Sequence, residues 1–120
     1  MDRLQGDYAA WAQQDIDGLR TALEEARNNP DDQGAAIAAL YTHALELKGQ
    51  GGGFGYDLIT AVGDLLNKFM EGRESVEGKD FEIIAAHIDA MQAVIRDRIK
   101  GNGGKVGMKI VEGLHLLVQG

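Results

Sequence analysis

The stretch from Phe81 to Ile99, Phe-Glu-Ile-Ile-Ala-Ala-His-Ile-Asp-Ala-Met-Gln-Ala-Val-Ile-Arg-Asp-Arg-Ile, sets Phe81, Ile84, Ile88, Met91, Ile95 and Ile99 at steps of three and four residues. That is the period of one helix face, whereas a half-buried strand repeats every second residue. Asp80 is the expected N-cap, and the charged segment Arg73–Lys79 reads as the loop leading in. The same period extends outward. Leu58, Val62, Leu65, Leu66, Phe69 and Met70 predict a helix that Gly72 ends. Ile37, Leu40, Ala44 and Leu47 form one stripe of another, with Asp31 and Asp32 offered as its N-cap. Tyr8, Trp11, Ile16, Leu19, Leu23 and Ala26 predict a first helix over residues 7–27, stopped by Asn28, Asn29 and Pro30. Beyond Ile99 a glycine cluster breaks the pattern. Val106, Ile110, Leu114, Leu117 and Val118 then resume it as a short fifth helix, expected to cap the bundle because Ile110, Leu114 and Leu117 want one buried face. The expectation is an all-α fold: an antiparallel four-helix bundle with an additional C-terminal helix, in a single domain over residues 1–120.

The 120 residues suffice for one domain with a real core and are too few for a two-domain enzyme. With 12 Lys and Arg against 19 Asp and Glu, the net charge is −7, which disfavours nucleic acid and anionic membranes as partners. Cysteine is absent, so disulfides, thiol nucleophiles and cysteine-ligated metals are excluded. No apolar run reaches the ~18 residues of a membrane span, and Met1–Tyr8 carries no signal-peptide core, so the chain is expected in the cytoplasm. Glycine is the anomaly. Its 17 residues are about twice the usual ~7%, and they concentrate at Gly49, Gly51, Gly52, Gly53 and Gly55 and again at Gly101, Gly103, Gly104 and Gly107.

Glycine-rich segments suggest phosphate loops, and the templates reject them. A dinucleotide fingerprint beginning at Gly51 requires glycine where Tyr56 stands, and one beginning at Gly101 requires it where Val106 stands. A Walker motif ending in Gly104-Lys105 requires it at Ile99, and no strand precedes either cluster. His43, His87 and His115 lie on three different predicted helices without HxxxH or HExxH spacing. No cofactor and no metal site is expected, since only carboxylates from several helices would complete one. Acidic pairs such as Glu24–Glu25 and Asp31–Asp32 read as solvated faces and caps. The first glycine cluster differs. Lys48-Gly49 lies deep in a helical run, and each glycine inside a helix costs ~1 kcal/mol relative to Ala. If the helix continues, Gly49, Gly52 and Gly53 share a face without side chains that admits a close backbone. Lys48 beside it is then a positive charge for a phosphoryl group. A flexible loop after Leu47 is the alternative.

Leu47-Lys48-Gly49 followed by Phe54-Gly55 resembles the His-x-Leu-Lys-Gly helix and downstream glycine of histidine-containing phosphotransfer (HPt) domains of two-component phosphorelays. Gly49-Gln-Gly-Gly-Gly-Phe-Gly-Tyr56, with Gly101-Asn-Gly-Gly104 and Gly113-Leu114, is similar to a bacterial branch of small stand-alone HPt proteins. The helix order extends the resemblance over nearly the whole chain. The resemblance implies a bundle histidine that takes a phosphoryl group from one receiver-domain aspartate and passes it to another, the magnesium belonging to the receiver. It implies receiver domains of response regulators or a sensor histidine kinase as partners, and a relay intermediate or adaptor rather than a turnover enzyme. The docking residues it points to are Leu45, Lys48, Gly49, Gln50, Gly52 and Gly53.

The departure is at the acceptor. Three residues before Lys48, where the family carries its histidine, stands Leu45, which accepts no phosphoryl group. His43 is two residues early, about 200° around the helix at ~100° per residue. It shares a face with Ala39, Leu47 and Gln50, whereas Leu45 shares one with Tyr41, Lys48, Gly49 and Gly52. Bringing His43 into register needs two extra residues, and the unbroken stripe Ile37–Leu40–Ala44–Leu47 argues against that. Three readings follow in order: a degenerate HPt protein that keeps the docking surface, an active one using His43 as its catalytic residue, and a structural or oligomerising helical module. Leu45 is expected to be exposed beside Lys48 and Gly52, with His43 directed at a neighbouring helix.

Overall fold

The computed structural model describes residues 2–119, with side-chain surroundings from residue 8 onward. Among them every regular element is helical: α1 (Asp2–Asn28), α2 (Gly34–Gly51), α3 (Asp57–Met70), α4 (Lys79–Arg96) and α5 (Gly104–Gln119), with a 3-10 turn at Gly52–Phe54 continuing α2. α1 and α3 each pack on both α2 and α4, and α5 lies against α3 and α4. The apolar stripes meet in one core that includes Ile16 and Leu19 of α1, Leu40 and Leu47 of α2, Val62 and Leu66 of α3, and Ile84, Ile88 and Met91 of α4. Burying one such side chain is worth about 1.5–3 kcal/mol. Packing of these faces, more than helix propensity, therefore holds the helices.

The element ends differ from the sequence expectation, and tertiary partners explain why. Asp31 and Asp32 stay exposed, and α2 starts from Gln33. The Gln33 side chain does not cap: its Nε2 donates to Ala26 O at 2.9 Å and Val76 O at 2.8 Å, and its Oε1 accepts the Val76 N–H at 2.9 Å. One buried amide thus satisfies backbone groups at the end of α1 and in the loop before α4. That loop ends at Gly78, whose φ of +54° precedes α4. Asp80 lies within the first turn rather than capping it; its Oδ2 accepts the Glu77 N–H at 3.2 Å and pairs with Arg73 at 3.1 Å. α4 stops at Arg96, before the expected Ile99, because Arg98 takes φ +52° and the Ile99 N–H turns back to Val94 O. α5 begins earlier than expected and contains Gly107, where a Cβ would collide with the Asn102 carbonyl. Its Leu114 is buried with Ile110 and Leu117 packed on the core, while Val106 and Val118 are exposed.

The two glycine clusters touch each other. The Gly101 N–H donates to Gly55 O at 2.7 Å, and the Leu58 N–H donates to Gly101 O at 3.0 Å. The same turn is held from α1 by aromatic stacking: the Tyr8 ring lies 4.7 Å from that of Phe54 and 5.2 Å from that of Tyr56. Trp11 meets Phe54 edge-on at 6.1 Å, and the Lys100 ammonium sits 4.3 Å above the Tyr56 ring. Phe54–Tyr56 is therefore anchored from α1 and from the second glycine cluster.

Candidate docking site on α2

α2 turns Ala36, Leu40, Ala44, Leu47 and Gly51 inward. Helical rotation leaves Tyr41, Leu45 and Gly49, one turn apart, on the opposite side. Leu45 is 47% exposed and Tyr41 39%. A Cβ at Gly49 or Gly53 would meet nothing within 4 Å, and one at Gly52 would stand 3.7 Å from its nearest neighbours, Asp57 and Thr60. The helix continues through the cluster, as α to Gly51 and as 3-10 to Phe54, so the flexible-loop alternative is not the one adopted. Gln50 is exposed beside these glycines. Gly51 is different in kind: facing α3, its Cβ would come within 2.8 Å of Thr60 Oγ1 and 2.9 Å of Tyr56 O.

A seam of small and polar residues on α3 fixes the rotation of α2. Thr60 Oγ1 donates to Lys48 O at 3.0 Å and accepts the Gly52 N–H at 2.9 Å. A Cβ at Gly63 would stand 2.9 Å from Lys48 N and 3.1 Å from Ala44 O, so glycine there permits the close approach of the two helices. Asn67 Nδ2 donates to Tyr41 O at 3.0 Å. Asp64 receives both Lys48 and Lys68 at 2.9 Å, and these ammonium groups, Lys68 foremost, hold its carboxyl below the ordinary range. Lys48 is thus already paired, and a phosphoryl group would compete with Asp64 for it. Thr60, Gly63, Asp64 and Asn67 lie outside the apolar stripe of α3. Their own spacing, at positions 60, 63, 64 and 67 on one helix face, is the signal the sequence carries for them, and apolar periodicity does not include it.

His43 does not join this face. Its Nδ1 lies 2.9 Å from Asp15 Oδ1 on α1, and its ring rests over Gly18, where a Cβ would collide with Nε2 and its neighbouring carbons. The side chain is 31% exposed; its Nδ1 is engaged by the Asp15 carboxylate, and its Nε2 edge lies over Gly18. An imidazole held so is directed at α1 rather than at the side of α2 that carries Leu45 and Gly49. Glu46, one turn further on α2, faces the same Asp15; the hydrogen bond with Asp15 and its negative charge hold the Glu46 carboxyl above its ordinary range. His87 is fully buried: its Nδ1 bonds Ile83 O at 2.7 Å, its Nε2 has no partner, and burial pushes its pKa down. His115 is exposed and lines an apolar groove between α3 and α5 with Leu58, Ala61, Met108 and Val111, which includes no residue of α2.

No protein-family model matches this sequence, and neither the curated proteins nor the solved structures contain a significant match.

Proposed function

We propose that the protein is an HPt-like adaptor that docks receiver domains through the α2 face formed by Leu45, Lys48, Gly49, Gln50, Gly52 and Gly53, and that carries no phosphoryl group itself. In this reading α1–α4 are an antiparallel four-helix bundle of HPt type to which α5 is appended. The observation that carries it is the exposed Leu45 in register with the bare backbone at Gly49 and Gly53. Helical glycines without neighbours cost stability, and a partner lying close against that backbone is the physical reason for keeping them. Leu45 and Tyr41 supply an apolar anchor at the centre of such a contact. Leu45 has no nucleophilic atom, and His43 is committed to α1. The reading therefore assigns docking to a receiver or its kinase, and no turnover chemistry.

The test mixes the protein with a panel of receiver domains carrying labelled aspartyl phosphate. Expected are saturable binding to a cognate receiver, loss of that binding in Gly49→Arg, and no acid-labile phosphohistidine. In Leu45→His label transfer appears. Transfer to the unaltered chain that vanishes in His43→Ala would establish an active relay instead. Failure of every receiver to bind, with Leu45→His inert, would leave the structural or oligomerising module.

A further inference from the structure

His43 and Glu46 lie one turn apart on α2, and Asp15 faces them from α1; one ligand atom from each lies within 4.8 Å of the others. We propose that Asp15, His43 and Glu46 form a binding site for a divalent transition-metal ion of the zinc class, independent of the docking reading. Metal sites between packed helices are commonly built this way, from a histidine–carboxylate pair at i, i+3 and a carboxylate on the facing helix. The spacing suits it. Two ligands at about 2.1 Å from a tetrahedrally held ion are about 3.4 Å from each other, so His43 Nδ1 and Asp15 Oδ1, a hydrogen-bonded pair at 2.9 Å, need part by only about 0.5 Å to admit one.

Charge points the same way. Asp15 is only 9% exposed, and among the described residues no Lys or Arg pairs with it or with Glu46. Two carboxylates and one neutral imidazole around a dication make a neutral site, whereas without the ion the carboxylates oppose each other across one imidazole. The mixed nitrogen and oxygen donors favour zinc-like ions over magnesium or calcium, which prefer oxygen alone. Glu46 is exposed, which leaves the remaining coordination position to water. Gly18 builds the pocket for the ring: any side chain there would push the imidazole off Asp15, and the sequence keeps a glycine in the middle of α1 at a cost of ~1 kcal/mol. The site escapes motif searches because its ligands come from two helices.

The experiment uses untagged, chelator-treated full chain, titrated with Zn2+ by calorimetry and with Co2+ by visible absorption. Expected are saturation at one equivalent, ligand-field bands from Co2+ that Zn2+ displaces, and a rise in Tm with Zn2+. His43→Ala, at a partly exposed position where the helix persists, weakens Zn2+ binding by more than the roughly 10- to 100-fold that an outer-shell partner is worth. Glu46→Gln supplies the second control: without metal it melts no lower than the parent, because a like-charge contact is gone, yet its Tm no longer responds fully to Zn2+. Absence of Co2+ bands and Zn2+ heat in the parent overturns the proposal. So does equal affinity in His43→Ala, which would place the ion elsewhere.

Discussion

A helical glycine with nothing beside it and one wedged against a neighbouring helix differ in kind, and the chain has both. Gly49 has no atom within 4 Å of where its Cβ would stand. Gly49→Ala is therefore expected to raise stability by about 0.5–1 kcal/mol, read as a higher urea midpoint, and, if the proposed docking holds, to weaken receiver binding. An alanine that lowers stability would show that Gly49 is required by the fold rather than by a partner. At this scale the exposure of Leu45 and the sideways direction of His43 were legible, since both follow from counting residues around one helix. The Asp15–His43 bond was not, because it joins positions distant in sequence and no local period encodes which residue of α1 lies opposite. Gly18 was equally silent: its reason is a ring contributed by another helix.

Between elements, the contact of α2 with α3 has little room for added volume, because the atoms that face Gly63 are backbone. Gly63 stands against the Ala44–Lys48 backbone, so Gly63→Ala must separate the helices or shift their register. A loss of about 1–3 kcal/mol in urea unfolding is expected, the usual range for overpacking, together with a changed amide signal for Lys48. An unchanged midpoint would mean that the helices are not held this close. The existence of all five helices was readable because apolar periodicity is a property of each segment alone. Their ends were less so. Asp31 and Asp32 are good caps locally, yet Gln33 is the residue that goes inside, satisfying Ala26 and Val76. α4 ends where Arg98 turns, although Ile99 keeps the apolar step and still packs on the core. Buried hydrogen bonds to distant segments outweigh the preferences of an end.

For the molecule as a whole, two buried titratable groups without partners bound the pH range of stability: the Nε2 of His87 and the hydroxyl of Tyr8. Burial pushes His87 below its ordinary value near 6.5. Its neutral form is the one folded, so its contribution is present above that value and is lost as pH falls beneath it. The pKa of Tyr8 is pushed up to about 12 from 10.0, chiefly by burial. Its contribution is complete below 10.0 and lost as pH rises towards about 12. We expect Tm to decline from about pH 7 to 5 and again in strong alkali, with His87→Leu flattening the acid limb and Tyr8→Phe the alkaline one. Curves that leave both limbs unchanged in these variants would assign the pH dependence to surface carboxylates and lysines.

The hydrogen bonds of Gly101 with Gly55 and Leu58 also impose an order in time. On the ribosome, Gly49–Tyr56 is made well before Lys100–Gly104, and until the later segment emerges Gly55 O and Leu58 N–H have only water for partners. The turn that ends the exposed face of α2 receives its last bonds late. If the α2 face docks a receiver as proposed, that partner meets the finished face only on chains synthesised past Gly104, so that truncated products and nascent chains compete poorly for it.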